Sequence, residues 1–327
     1  MKYLITGGCG FIGSNFIYRC FEQKRNSKII NIDTMLTGSN PMNLRNLKNP
    51  NYRFVEGNIC DKKLVEKLVS QVDCVINFAA ESHVDRSINN PRPFIQSNVM
   101  GVYSILEAIR RYKVKFLQIS TDEVYGEILR GSHFERDALH PSNPYSATKA
   151  SAEMLIRSYA KTYDLDVRIT RCSNNFGPRQ FPEKLIPKTI ICALKKEPIP
   201  LHGSGNAKRQ WIHVFDHCDA LLQILSKWGK SLIYNISGNY ETTNLELVKK
   251  ILGFFNKSED LIVYVKDRPA QDRRYSINSN LLLKEIGFRP KMKFESALES
   301  TICWYVANKK WWENLSFKTI RNPTPWL

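Results

Sequence analysis

Between Ile119 and Lys149 the chain sets polar and titratable residues at spacings that chemistry can use. The apolar run Phe116-Leu117-Gln118-Ile119 reads as a buried strand and gives way at once to Ser120-Thr121-Asp122-Glu123. Two hydroxyls and two carboxyls therefore stand at a strand's C-terminal end. In an open α/β sheet that edge carries the ligand crevice. Further on, Tyr145 and Lys149 in Tyr-Ser-Ala-Thr-Lys would share one face of a helix. A Lys ammonium beside a phenol favours the phenolate, which could then act as a base near neutral pH. Each feature also has a plainer reading. A Tyr and a Lys at helical spacing make an ordinary surface pair, and adjacent acids after a strand suit the positive end of a helix dipole.

A site at a strand's end needs a sheet to carry it. After a strand at 3–6 comes Gly7-Gly8-Cys9-Gly10-Phe11-Ile12-Gly13, then Phe16, Ile17, Cys20 and Phe21 at helical spacing. Strand, glycine turn and helix in that order form a dinucleotide-binding opening. Gly7, Gly10 and Gly13 permit a tight turn, close approach of the backbone to a pyrophosphate, and close packing of helix on strand. The second strand, 28–32, runs into Asp33, about twenty residues past Gly13. A carboxylate there bonds the ribose 2′-hydroxyl of NAD and repels the 2′-phosphate of NADP, so NAD is the expected cofactor.

Strands at 52–55, 74–78, 115–120 and 166–170 then alternate with helices at 62–69, 94–112 and 146–163. That alternation predicts an α/β fold, a Rossmann-type doubly wound parallel sheet with helices on both faces. The first of the two long helices carries Ile95, Val99, Val102, Leu106 and Ile109 on one stripe, the second Ala147, Ser151, Met154, Leu155 and Ser158. One stripe of each must cover the sheet, and these faces could also pair across a homodimer. Residues 1–173 are expected to form the NAD-binding domain. Residues 174–327, richer in Pro and loops, are expected to form a smaller mixed α/β substrate domain whose segments return to the first. Helices are read there at 182–196, within 211–225 and at 245–255, and the tail 308–327, with three tryptophans, shows no readable pattern.

The 327-residue length fits two lobes better than one core, and 43% hydrophobic with 24% charged residues is ordinary for a soluble globular chain. No apolar run reaches the length of a membrane span, and the N-terminus lacks the apolar region of a signal peptide. The eight cysteines are scattered without a C-x-x-C pair, which argues against a zinc site or disulfide framework and for a cytoplasmic protein. His213 and His217 could share a helical face, but no third ligand lies near them, so no metal is expected. The net charge of +17 invites a nucleic-acid reading. The basic residues are nevertheless dispersed, and a surface suited to anionic nucleotide ligands is the preferred interpretation.

Taken together, Thr6 to Ser14, Phe78-Ala79-Ala80-Glu81-Ser82-His83-Val84-Asp85-Arg86-Ser87, Ser120 to Gly126 and Tyr145 to Ala150 resemble the nucleotide-sugar 4,6-dehydratases. These are extended short-chain dehydrogenases/reductases, and the resemblance is nearest to the dTDP-glucose type. It extends to about Tyr275. The glycine loop and Tyr-x3-Lys are shared with epimerases and other relatives, whereas Thr121-Asp122-Glu123 singles out the dehydratases.

The resemblance implies a lyase in which Tyr145 is the base on the sugar 4-hydroxyl, with Lys149 lowering its pKa and Thr121 sharing the hydrogen bond. Hydride passes from C4 to NAD, Glu123 removes the C5 proton, Asp122 protonates the departing 6-hydroxyl, and the hydride returns to C6. Cofactor contacts are implied at Gly7, Gly10, Phe11, Ile12, Gly13, Asp33, Asn58, Ile59, Ala79, Ala80, Tyr145 and Lys149. Substrate contacts are implied at Ser82, His83, Thr121, Asn175, Lys184, Leu185, Arg209, Asn244 and Arg268, the two arginines clamping a diphosphate. Three departures stand out. Asn58 replaces an Asp against the adenine amine, Gln271 replaces a His near the diphosphate, and His202 replaces a Tyr. The last two leave thymidine or uridine open. The rival readings are a UDP-sugar 4-epimerase or decarboxylase, which has no use for Asp122-Glu123, and a non-catalytic nucleotide- or RNA-binding protein on the same scaffold.

Overall fold

The computed structural model describes residues 1–319 and 324–326. The strands of the first part of the chain are β1 (Lys2–Thr6), β2 (Lys28–Asp33), β3 (Tyr52–Glu56), β4 (Cys74–Asn77), β5 (Lys115–Thr121) and β6 (Val167–Cys172). After them come β7 (Asn174–Phe176), β8 (Ile199–His202), β9 (Lys208–His213), β10 (Ile233–Ile236), β11 (Tyr240–Thr243) and β12 (Ile262–Val265). Seven strands form one sheet in the order β10-β6-β5-β4-β1-β2-β3, with every neighbouring pair parallel. Strand order reverses between β1 and β4, and an open sheet of this kind splays its loops there into a crevice beyond the carboxyl ends. That crevice receives the ends of β1, β4 and β5 side by side.

The sheet is covered on both faces, which is why its central strands are apolar on both. Helices Phe11–Gln23 and Val214–Lys227 cover one face through Phe16, Ile17, Cys20, Leu221 and Ile224. Helices Lys62–Val69, Gly101–Tyr112 and Pro144–Tyr163 cover the other through Val65, Leu68, Val102, Ile105, Ile109, Ala152 and Ile156. β10 joins the main sheet beside β6, with Ile233 opposite Ile169. The remaining strands make a three-stranded sheet, β11-β9-β7, and a pair, β12-β8. Helices Leu185–Lys195, Asn244–Phe254 and Phe294–Ala307 pack around Ile190, Leu247, Ile251 and Ile302.

Two expectations change. The helix read at 94–112 is α-helical at Arg92–Phe94, π-helical at Ile95–Met100 and α-helical again at Gly101–Tyr112. The stripe of Ala147, Ser151, Met154, Leu155 and Ser158 does not cover the sheet, because Met154 is 44% exposed and Ser151 and Ser158 are exposed too. The buried line of that helix holds Tyr145, Lys149, Ala152, Glu153 and Ile156. Its inner face is polar because it delivers side chains to the crevice and to a buried ion pair. The tail proves partly helical, at Lys309–Thr319. Trp311 and Trp312 are buried, and the Trp311 indole N–H donates to Asn43 Oδ1 at 2.8 Å.

Candidate active site

At the end of β5 the chain tightens into a 3-10 turn, Asp122–Tyr125, capped by Thr121, whose hydroxyl accepts the Glu123 N–H at 3.3 Å. Thr121 also donates to Asp122 Oδ1 at 3.2 Å. Helix Pro144–Tyr163 begins with a capping box in which Asn143 Oδ1 accepts the Ser146 N–H and the Ser146 hydroxyl faces the Asn143 N–H. Pro144 at the first turn loses no hydrogen bond there. The cap fixes where Tyr145 enters the crevice, and Asn143 Nδ2 donates to Glu123 Oε2 at 3.3 Å, tying the helix start to the turn after β5. A further thread runs beneath the strand ends. Thr6 donates to Asn77, Asn77 donates to Gln118 Oε1 at 2.8 Å, and Gln118 donates to the Ile119 carbonyl at 3.0 Å. That carbonyl also accepts from Lys149 Nζ at 2.7 Å.

Burial sets the protonation states. Asp122 is 3% exposed, and desolvation with the adjacent Glu123 charge pushes its carboxyl up to about 7. Its Oδ2 has no partner among the described residues. Glu123 is also raised by burial, against the opposing pull of Arg209, Lys184 and the Asn143 bond. Two adjacent carboxyls in one buried place, each raised by burial, can divide the roles of acid and base. The Tyr145 phenol is raised well above its ordinary value by burial and Glu123, while Thr121 lowers it. Lys149 stands one turn further along the same helix. Its ammonium donates to Ile119, and burial lowers its own pKa to about 8.

These residues face a crevice of about 410 Å³ that also contains the glycine loop. Its floor fits a dinucleotide. Gly7 has φ +67, and a Cβ there would stand 2.7 Å from the Ala79 backbone, while a Cβ on Gly13 would stand 2.5 Å from the Gly7 carbonyl. Gly10, Phe11 and Ile12 line the same crevice, as do Asn58, Ile59, Ala79 and Ala80. Asp33 is buried at its rim, where its carboxylate accepts from the Cys9 N–H at 2.9 Å and from the Ser39 hydroxyl at 2.7 Å.

On the other side lie Ser82, His83, Asn175 and Lys184, all lining the crevice. Lys184 Nζ donates to the Ser82 carbonyl at 2.8 Å, and Asn175 Oδ1 meets His217 Nδ1 at 2.8 Å. Four expected contacts fall outside the lining. Leu185 opens the helix behind Lys184. Asn244 opens helix Asn244–Phe254, its N–H bonded to Ala207 O at 3.0 Å. Arg209 is buried over the Tyr275 ring at 4.3 Å and donates to Asp272 O at 2.9 Å, yet its charge still acts on Asp122 and Glu123. Arg268 is paired with Asp85. His213 and His217 hold no metal-type cluster, and among the described residues none occurs.

Several supports of the site carry no role in the sequence pattern. Asn98, in the π-helical segment, donates to Glu81 O at 3.0 Å and Thr148 Oγ1 at 2.9 Å and so binds the crevice loop to the Tyr145 helix. Ser87 Oγ accepts the Tyr145 N–H at 3.2 Å, and Arg86 pairs with Glu183. Asp85, Arg86 and Ser87 lay inside a quoted motif, so position could have flagged them. Asn98 had no local signal.

A family model described as GDP-mannose 4,6 dehydratase matches residues 4–301. A low-salt glycan biosynthesis protein of Haloferax volcanii is 47% identical over 94% of this chain and 99% of its own. A dTDP-glucose 4,6-dehydratase of Streptomyces niveus is 40% identical over 96% of both chains. The solved structure of a Streptomyces venezuelae dTDP-glucose 4,6-dehydratase with NAD and TYD bound matches with a TM-score of 0.94 at 40% identity, covering 96% of this chain and 100% of that one. With a family model spanning most of its length and relatives of this identity across nearly all of it, the chain belongs to the nucleotide-sugar 4,6-dehydratase family of extended short-chain dehydrogenases/reductases.

Proposed function

We propose that this protein is an NAD-dependent hydro-lyase that converts dTDP-glucose, or UDP-glucose, to the 4-keto-6-deoxy sugar nucleotide and water. The observation that carries the reading is Asp122, a buried carboxyl pushed up to about 7, adjacent to Glu123 and in one crevice with Tyr145 and Lys149. An epimerase works at C4 alone and has no use for two adjacent carboxyls at that place.

Gly7, Gly10 and Gly13 would take the pyrophosphate, Asp33 the ribose, and Asn58 and Ile59 the adenine end. Bound NAD supplies the acceptor and later the donor of the sugar's hydride. Tyr145 takes the proton of the 4-hydroxyl, with Thr121 bonded to the same oxygen. Glu123 takes the C5 proton, made acidic by the C4 ketone, and gives a proton back to C5 when the hydride lands on C6. Asp122, protonated near neutral pH, gives its proton to the departing 6-hydroxyl. Lys149 contributes a buried positive charge on the cofactor side. Ser82, His83, Asn175, Lys184, Leu185, Arg209, Asn244 and Arg268 are assigned to the sugar nucleotide. We also assign residues 1–173 to cofactor binding and 174–327, less β10, to substrate binding. A homodimer through the segments 94–112 and 146–163 is proposed, and eight free thiols support a cytoplasmic location. No nucleic acid or membrane enters this reading.

The test is an isotope experiment with dTDP-glucose and UDP-glucose offered separately. Sugar deuterated at C4 is expected to give product deuterated at C6 without net consumption of NAD, and heavy water is expected to place deuterium at C5. Return of the label to C4 would indicate an epimerase and sink this reading.

A further inference from the structure

Behind the crevice stands a cluster that the reaction steps do not use. Asp85, 2% exposed in the first turn of helix Val84–Asn89, is paired with Arg268, whose Nη2 donates to Oδ2 at 3.1 Å while Nε stands against Oδ1 as an ion-pair contact without hydrogen-bond geometry. His83 Nε2 and His202 Nε2 stand 3.8 and 3.9 Å from the same Oδ2. Burial keeps His83 neutral, and His202 is lowered as well, so neither ring competes with Arg268 for the carboxylate. Among the described residues, Arg268 Nη1 makes no hydrogen bond. A guanidinium presents five N–H donors in a rigid plane, so fixing one edge fixes the direction of the other.

We propose that Asp85 is a positioning residue, which holds Arg268 by one edge so that its free edge meets the diphosphate of the nucleotide sugar. The inference rests on the assignment of Arg268 to that diphosphate. Simple charge counting predicts the reverse effect. Asp85 is a negative charge placed behind a site for an anion, and by repulsion alone its removal would tighten binding. Alignment wins for two reasons. The arginine is already three-quarters buried, so losing its partner frees the guanidinium to turn toward water. Asp85 also favours the charged forms of Lys184 and Lys188, which burial and Arg268 push toward neutrality.

The NAD-loaded protein is titrated calorimetrically with dTDP and, separately, UDP, as wild type, Asp85→Asn, Arg268→Lys and the double variant; kcat and KM are measured in parallel. Asp85→Asn is expected to weaken binding of the preferred diphosphate by ~tenfold or more, the loss of a charge-assisted hydrogen bond. KM rises in step, kcat changes far less, and Asp85→Asn adds nothing in the Arg268→Lys background. Tighter or unchanged binding, or an equal loss in both backgrounds, would overturn the proposal. If Asp85→Asn fails to fold, Asp85→Glu replaces it: the charge stays, the guanidinium moves, and binding must still fall. Diphosphate binding is read without turnover, so a wild type that binds dTDP but forms no product would count against the dehydratase reading alone.

Discussion

A single carboxyl shows how burial is converted into chemistry. Asp122 rises from 3.8 to about 7 because it is buried beside Glu123. An acid whose pKa rises on folding binds more protons folded than unfolded between those values, so stability declines as pH climbs through that window. Asp122→Asn is therefore expected to raise the thermal midpoint, and by more at pH 8 than at pH 5, as calorimetry at the two pH values would show. The same titration governs catalysis. Turnover of the wild type should fall above about pH 7 as the proton donor ionises, and a pH–rate profile flat through pH 8 would remove Asp122 from the acid role. Tyr145→Phe leaves the 4-hydroxyl without its base, and turnover should drop by about 10²–10⁴-fold. Normal product formation by that variant would break the assignment.

At the scale of elements, the N-cap of helix Pro144–Tyr163 serves structure and site together. Asn143→Asp keeps a good cap, so stability should change little. It removes the amide donor to Glu123 and adds a like charge, both of which raise the Glu123 pKa. The acid limb of the kcat/KM profile is expected to move to higher pH, and an unmoved limb would show that the 3.3 Å bond does not tune this base. Deeper in the same helix, Glu153 and Arg171 are 0% and 1% exposed and bonded at 2.6 and 3.0 Å. Arg171→Met leaves a buried carboxylate unpaired, at a cost of about 3–5 kcal/mol in denaturant unfolding. Adding Glu153→Leu should recover most of that, and no recovery would place the cost in the lost Arg171 contact with the Tyr125 ring.

These elements also mark where the sequence was legible. β1, the glycine loop and helix Phe11–Gln23 announce themselves because their signals are local. So does the end of β5. The inner face of Pro144–Tyr163 was misread because Glu153 answers to Arg171 on β6, a partner that no helical period reveals. β10 is only Ile233–Ile236, and its place beside β6 is decided by long-range pairing. Arg268 and Asp85 lie 183 residues apart, so their pairing needed the fold. The bond from Lys149 to the Ile119 carbonyl is likewise out of reach of pattern alone, since its partners lie 30 residues apart.

The whole molecule carries a net charge of +17, which bears on how two copies would meet. Ile95, Met100 and Met154 are 50%, 42% and 44% exposed on two neighbouring helical elements. Exposed apolar groups on adjoining elements favour association, and the proposed homodimer would bury them. Like charge opposes it, since each protomer repels the other until salt screens the field over about 8–10 Å. An interface driven by apolar burial under net repulsion should therefore tighten as salt rises. One built on ion pairs should loosen. Sedimentation velocity at micromolar protein is expected to show a dimer whose dissociation constant falls from low to physiological salt. Met154→Glu would put a charge into the apolar contact and should shift the protein to monomer, without altering NAD binding in the crevice. A monomer under all conditions, or a Met154→Glu variant that remains dimeric, would place the subunit contact elsewhere or remove it.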